Sequence, residues 1–500
     1  MSQRPTFRSA LGWSLVMTGG QQAIGLVITF TLAGLLGPEA FGIVAIGTVY
    51  VAFGQLLTNQ GMLPAVVQRA ELRREHTDTA FWMTMGAAVV ATAASLAAAP
   101  LLAELNDLPE LRDVIWALSL TIPLRASAVV PDALLRRELE FRKLAARSNA
   151  AALVGGVVGL VLAIGGAGVW ALVAQQLTAA VVEVGLLWAI TSWRPRRRWD
   201  RAAAADLWVY TRGALAAAIG SFVHNRGDVV FLGLFFGPVV VGLYRLGARL
   251  VSVVLDVSAR AMQQATLPEL ARLQDQPGRL YRRTIELVRA TAVMSWTTFG
   301  ALAAIAPWLL DVLGDEWTDA VPALQLLCVV GAVTAFGMAV AAVLQAVGST
   351  MEFAKVTWLA AATSAVSFVL AGWALDGRSV GAQVAGVAAV RAAVFAGPLL
   401  VMNLLVLRAA AHVRIGTTIR VSLPSVAAGA AGAAVGAVLW AVAPPLRNWF
   451  PGGAIAAVLI GATVLAVLVR GEPEAALQLR RTRDALGRRI ERPSQQRTSP

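Results

Sequence analysis

Four arginines inside apolar stretches are the residues whose chemistry stands out in this sequence. Arg125, Arg226, Arg245 and Arg249 lie in apolar runs long enough to cross a bilayer. A charged side chain at membrane depth is costly, and it usually faces a bundle interior or a water-filled cavity. Because guanidinium groups bind phosphate oxygens in bidentate pairs, these arginines predict a cavity that binds a phosphate-containing ligand.

The spacing of one group of charges indicates a polar stripe on a single helix. Arg245, Arg249, Asp256 and Arg260 are separated by 4, 7 and 4 residues, which places them on one helical face. The functional interpretation is a cavity wall. The alternative is that Arg245 and Arg260 lie at helix ends and extend to the membrane interface, and the same alternative applies to Arg125.

A second pair of groups has the chemistry of proton transfer. His224 and Asp228 are four residues apart and share a helix face, and a buried carboxylate beside a histidine can titrate near neutrality. The pair therefore predicts an ion- or proton-coupling site. A structural ion pair or hydrogen bond explains the spacing equally well. The sequence identifies no partner for Arg391 or Glu183.

The composition of the chain predicts an all-α polytopic membrane protein. Apolar residues make up 57% of its 500 residues, charged residues only 14%, and the mean hydropathy is +0.68. About fourteen apolar runs can be drawn as spans. Of the 42 lysines and arginines, 33 fall in loops on the side of the N-terminus and 3 on the other, so we expect both termini to be cytoplasmic.

An internal repeat relates the two halves of the chain. Residues 20–51 and 220–251 align at an offset of 200, with Gly37-Pro38 on Gly237-Pro238 and Gly42 on Gly242. Each copy has the pattern of an apolar helix, a Gly-Pro turn and a second apolar helix. We therefore predict a duplicated helix–turn–helix unit.

The segments between spans divide the predicted chain into parts. We expect one lobe over residues 1–200, a second over 201–410, two further spans within 411–470 and a basic cytoplasmic tail over 471–500. An amphipathic cytoplasmic linker is predicted at about 265–284. A lone Cys328 and three scattered histidines form no metal-ligand pattern, so no metal or cofactor is expected.

Several spaced motifs resemble one family of membrane proteins, the polysaccharide flippases of the O-antigen and colanic-acid exporter type. The resemblance covers about residues 5–410. Its motifs are Phe41-Gly42, the segments 65–69 and 79–82, the segment 136–147, the segment 168–173 and the segment 267–273.

This resemblance implies the fold of multidrug and toxic-compound extrusion transporters, with two six-helix lobes related by a pseudo-twofold axis, plus two C-terminal helices. The implied function is translocation of an undecaprenyl-diphosphate-linked oligosaccharide across a bacterial plasma membrane by alternating access. Its partners would be that substrate, membrane lipids and other polysaccharide-assembly proteins. The net charge of +13 then reflects topology and anionic lipid, not nucleic acid.

Two other classes of function stay open at this stage. The first is a drug or cation exporter of the same fold, although a cationic cavity would repel cationic drugs. The second is a membrane glycan polymerase or ligase, which needs an external catalytic surface. The sequence predicts no external loop longer than about ten residues, so a transporter that is not an enzyme fits better.

Overall fold

The structure is a computed structural model, and it describes residues 7–59, 62–69, 71–442, 459–464 and 466–467. Within these ranges the regular structure is entirely helical. The predicted tail at 471–500 and most of the fourteenth predicted span, 452–470, lie outside the described residues. The chain divides into two compact units, each formed from separate stretches of sequence.

The first unit comprises Met1–Val253, Leu310–Ala323 and Phe353–Val394. Its helices are α1 (Phe7–Asn59), α2 (Met62–Gln68), α3 (Arg74–Leu105), α4 (Pro109–Ser119), α5 (Thr121–Arg137), α6 (Phe141–Ile164), α7 (Val169–Ile190), nearly all of α8 (Arg201–Leu255), most of α12 (Thr350–Ala374) and α13 (Val380–Val394). A short 3₁₀ turn at Asp315–Ala320 also belongs to it.

The second unit comprises Val254–Leu309, Leu324–Glu352 and Phe395–Pro500. Its helices are α9 (Ala261–Ala271), nearly all of α10 (Pro277–Asp311), most of α11 (Val321–Ala346), α14 (Leu400–Ala411) and α15 (Ile415–Val442), with π-helical turns at Asp256–Arg260 and Phe395–Leu399. Its interior includes a cluster of buried aliphatic side chains, among them Leu270, Leu280, Val340 and Leu407.

Both copies of the repeat form the predicted helix, Gly-Pro turn and helix. The breaks are within α1 at Gly37 (φ 71°, ψ 173°) and within α8 at Gly237 (φ 77°, ψ −175°). A side chain at either position would be strained, because positive φ with extended ψ is accessible almost only to glycine. The following proline has no N–H to leave unpaired at the start of the second helical segment.

The two turns cross each other at very close range. A Cβ atom at Gly42 would overlap the backbone carbonyl of Pro238, and a Cβ atom at Gly242 would overlap that of Pro38. The contact is therefore reciprocal, with each copy presenting its glycine to the other copy's proline. The repeat therefore places Gly42 and Gly242 where only a hydrogen fits.

The membrane-spanning character of the helices agrees with the prediction, whereas the count of fourteen stays a prediction. Eleven helical segments of the described residues are long and apolar enough to cross a bilayer. Predicted spans one and two correspond to the two helical segments of α1 on either side of Gly37. One predicted boundary differs in detail, because the predicted amphipathic linker contains a turn after α9 before α10 begins at Pro277.

The segment 192–206, the predicted lobe boundary, is hydrogen-bonded to α3 within the first unit. Trp193 donates its indole N–H to Thr77 Oγ1 at 3.1 Å, and the Arg196 backbone N–H is 3.2 Å from Asp78 Oδ1. The Trp82 indole in turn donates to the Arg196 carbonyl at 2.8 Å. This segment is therefore attached to the first turns of α3 instead of forming a loose linker.

Candidate functional site

Three of the predicted site arginines come together on α8. Arg226 lies before the Gly237 break, Arg245 and Arg249 lie after it, and all three are half-buried. The charges of Arg226, Arg249 and Asp228 all act on the Arg245 guanidinium. Like charges in an apolar surrounding repel, and an anion relieves that repulsion.

Arg249 extends from α8 towards α1. A Cβ atom at Gly25 would lie 3.1 Å from Arg249 Nη2, so the guanidinium rests on the part of α1 where no side chain intervenes. Gly25 belongs to the first copy of the repeat and Arg249 to the second. The predicted polar stripe is interrupted beyond Arg249, because Asp256–Arg260 is a π-helical turn that shifts the helical phase.

Asp228 is engaged in a buried network with residues from two other helical segments. Its Oδ2 atom accepts from Arg391 Nη1 of α13 at 2.5 Å and from the Tyr244 hydroxyl of α8 at 3.1 Å. Arg391 Nη1 also lies 3.0 Å from the Tyr244 hydroxyl oxygen, and Asp228 Oδ1 accepts from the Val229 backbone N–H. Asp228 is 3% exposed and Tyr244 is fully buried.

This geometry matches the structural alternative for Asp228 more closely than the coupling one. A guanidinium that is paired with the carboxylate, and lies over the Phe368 ring, already supplies the compensating charge. The backbone of His224 lies in α8, but its side chain is outside the described part of the structure. The role of His224 and Asp228 in coupling therefore stays a prediction.

Arg125 lies in a different place from the three α8 arginines. It lines a cavity of about 190 Å³ together with Asp132 and Arg136 of α5, Arg147 of α6 and Glu183 of α7. Arg226, Arg245 and Arg249 do not line this cavity. Arg125 Nη1 is 3.4 Å from Glu183 Oε2. The four predicted arginines thus belong to two sites.

A larger cavity of about 450 Å³ lies beside α8 and is almost entirely apolar. Its walls come from the second segment of α1, from α3, from α4 and from the first segment of α8, and include Phe53, Phe222 and Phe231. The aromatic rings of Phe53 and Phe222 are 5.5 Å apart. With no charged group in its lining, this cavity suits a hydrocarbon chain and not a phosphate.

Residues 31–322, more than half of the chain, match a family model described as "Polysaccharide biosynthesis protein". The chain belongs to this family. Among curated relatives, the succinoglycan biosynthesis transport protein ExoT of Rhizobium meliloti is 27% identical over 63% of this chain and 64% of its own length. The lipopolysaccharide biosynthesis protein WzxC of Escherichia coli is 24% identical over 69% of this chain and 71% of its own length.

Solved structures show the fold of this polysaccharide biosynthesis protein. The lipid II flippase MurJ in an inward closed conformation superposes with a TM-score of 0.68 at 9% identity, over 92% of this chain and 99% of that one. An inward-facing multidrug MATE transporter of the MOP superfamily superposes with a TM-score of 0.52 at 15% identity, over 81% of this chain and 95% of that one. The predicted fold class is confirmed, while the lobe symmetry stays a prediction.

Sequence reasoning missed several charged and polar residues of this family member's sites. Arg391 and Glu183 lacked identified partners, and Tyr244, Asp132 and Arg147 were not singled out at all. Asp228 and Arg391 are 163 residues apart, so no helical spacing could link them. The usable signal was that Asp132, Arg147 and Glu183 are charged residues within a few turns of the ends of apolar helices.

Proposed function

We propose that this protein is a flippase. It would move an undecaprenyl-diphosphate-linked oligosaccharide from the cytoplasmic to the outer leaflet of a bacterial plasma membrane. It would work by alternating access, as a transporter and not an enzyme, with both termini in the cytoplasm. Membership of a polysaccharide biosynthesis family and similarity to a protein named as a succinoglycan biosynthesis transport protein support this proposal.

The arginine group on α8 is the observation that carries the proposal. Arg245 has two arginine neighbours, Arg226 and Arg249, and one carboxylate neighbour, Asp228. That carboxylate is engaged by Arg391. A diphosphate would bind beside Arg245, because it offers several anionic oxygens that guanidinium groups bind in pairs.

Alternating access would expose this site to the two sides of the membrane in turn, as in other transporters built from repeats. The proposed arrangement has lobes over 1–200 and 201–410 and two further spans before residue 470. The isoprenoid chain would stay in hydrocarbon, for which the apolar cavity beside α8 offers a suitable surface. Other polysaccharide-assembly proteins would be its partners.

Replacing Arg249 with Ala should abolish most flipping of a short undecaprenyl-diphosphate glycan in proteoliposomes. The loss of a charge-assisted hydrogen bond costs about 1.5–3 kcal/mol, which lowers apparent affinity for the diphosphate by roughly 10- to 100-fold. Arg249→Lys should keep part of the activity because it keeps the charge but not the bidentate geometry. The measurement is the rate at which the glycan becomes accessible on the opposite leaflet.

Arg112→Ala is the matched control, because Arg112 is an exposed arginine of α4 whose contacts are local, with Asp113 at 2.8 Å and with the Trp116 ring. It should flip at the native rate. Native-rate flipping by a folded Arg249→Ala would contradict the diphosphate site. Efflux of a small cation by the native chain, with no flipping of any glycan, would replace this proposal with the exporter.

A further inference from the structure

The cavity between α5, α6 and α7 is a second charged site, distinct from the arginine group on α8. We propose that it binds a phosphodiester that carries free hydroxyl groups, such as the headgroup of a phosphoglycerol lipid or a glycosyl phosphodiester. Its volume is about 190 Å³, and its polar lining consists of Arg125, Asp132, Arg136, Arg147 and Glu183.

The charges of this cavity favour a ligand with one negative charge. Asp132 is shared between Arg136 Nε at 2.7 Å and Arg147 Nη2 at 2.9 Å. Glu183 is shared between Arg125 Nη1 at 3.4 Å and Arg147 Nη2 at 3.5 Å. Three guanidinium groups thus face two carboxylates, which leaves one positive charge in excess. A diphosphate would bring a second negative charge close to Glu183, and that repulsion disfavours it.

The hydrogen bonds of the cavity are incomplete, and this is the feature that indicates a ligand. The Arg147 side chain is only 7% exposed, yet its Nε–H has no hydrogen-bond partner among the described residues. The two distances to Glu183 exceed those of a charge-assisted hydrogen bond, which are about 2.7–2.9 Å. A buried donor without an acceptor destabilises the folded protein. In a purely structural network we would therefore expect every buried donor to have an acceptor.

The mixture of donors and acceptors defines the chemistry of the ligand. Phosphate oxygens would accept hydrogen bonds from Arg125 and Arg147, which would give the unpaired Arg147 Nε–H an acceptor. The Glu183 carboxylate can only accept, so it needs a hydroxyl donor on the same ligand. A phosphodiester beside a glycerol or sugar hydroxyl supplies both, whereas a choline headgroup supplies no hydroxyl.

The lining residues lie near helix ends, and this position agrees with a lipid-headgroup ligand. Arg136 is the penultimate residue of α5, Arg147 lies in the second turn of α6, and Glu183 lies two turns before the end of α7. These ends are the ones predicted from the loop charges to be cytoplasmic. The site would therefore lie near the phosphate level of the inner leaflet.

The test is binding of soluble short-chain lipids to the purified full-length chain, measured by ligand-dependent thermal stabilisation. Dioctanoyl phosphatidylglycerol should bind, and dioctanoyl phosphatidylcholine should bind at least about tenfold more weakly. Methyl glucosyl phosphate, a soluble phosphodiester with one negative charge and free sugar hydroxyls, separates the two ligand sources. Binding equal to that of phosphatidylglycerol assigns the site to glycosyl phosphodiesters, and weaker binding assigns it to lipid headgroups.

The informative variant is Arg125→Gln combined with Glu183→Gln, because it leaves the net charge of the cavity unchanged. It should weaken phosphatidylglycerol binding by at least about tenfold, as should Arg147→Gln if that variant folds, whereas Arg112→Gln should bind like the native chain. Unchanged binding by the double variant, or equal binding of both lipids by the native chain, would overturn the site.

The outcomes for the two sites are separable. Arg249→Ala should keep phosphatidylglycerol binding while it loses flipping. A native chain that flips the glycan but shows no preference for phosphatidylglycerol would contradict only the second site.

Discussion

Replacing Asp228 with Asn should lower the free energy of unfolding by about 3–5 kcal/mol. Asp228 accepts hydrogen bonds from Arg391 at 2.5 Å and from Tyr244 at 3.1 Å, and only 3% of it is exposed. An asparagine cannot balance the Arg391 charge, so a buried guanidinium would be left uncompensated. Chemical unfolding of the purified protein in detergent would measure the loss.

A second variant separates the destabilisation caused by breaking the ion pair from the net contribution of the intact pair to stability. Asp228→Asn combined with Arg391→Met removes both charges while keeping similar volumes, and it should recover most of the stability lost in the single variant. Tyr244→Phe should cost about 1 kcal/mol, as expected for one hydrogen bond. Additive losses in the double variant would show that the two residues do not form a coupled pair.

The exposed pair Arg112 and Asp113 provides the control for this cycle. Their side chains are 48% and 43% exposed, and such surface pairs contribute about 0–1 kcal/mol. Asp113→Asn should therefore leave the stability almost unchanged. An effect as large as that of Asp228→Asn would mean that the loss reflects general charge removal and not burial.

The same double variant decides between the two interpretations of Asp228. If the carboxylate is structural, flipping by the Asp228→Asn, Arg391→Met variant should keep the pH dependence of the native chain. If His224 and Asp228 carry a coupling proton, that variant should stay folded but lose the pH dependence. We expect the first outcome, because Arg391 already neutralises the carboxylate.

The fold was largely predictable from the sequence because its main signals are local. Apolar runs of bilayer length identify spans without any knowledge of tertiary contacts. The Gly37-Pro38 and Gly237-Pro238 breaks were predicted because glycine and proline determine backbone conformation by themselves. The turn between α9 and α10 inside the predicted amphipathic linker was not predicted, because the apolar and charged pattern that indicates a surface helix does not locate a turn within it.

The candidate sites were predictable only in part, because partners across helices leave no local pattern. Helical spacing placed Arg245 and Arg249 on one face of α8. It did not reveal that Asp228 pairs with Arg391, nor that Arg125 pairs with Glu183 at 3.4 Å in another cavity. Both pairings depend on how helices that are distant in sequence pack together, and that packing cannot be derived from local patterns in a single sequence.

Substituting Ala for Gly42 or Gly242 should destabilise the protein by about 1–3 kcal/mol each, the usual cost of forcing an extra methyl into close packing. The obstacle in both cases is backbone, the carbonyl of Pro238 or of Pro38. A rotating side chain could move aside, but a helix backbone moves only as a whole. The clash must therefore separate the second segments of α1 and α8, and thermal unfolding in detergent would register the change.

The reciprocal arrangement makes a sharper prediction for the double variant. Once Gly42→Ala has pushed the two helical segments apart, Gly242→Ala enters a space that is already widened, so the combined loss should be smaller than the sum of the single losses. Gly185→Ala is the matched control, because a Cβ atom there would contact nothing within 4 Å. In that helical position alanine should stabilise by up to about 1 kcal/mol. Equal stability of the Gly42→Ala and Gly185→Ala variants would show that the close crossing of the two repeats does not hold the folded protein together.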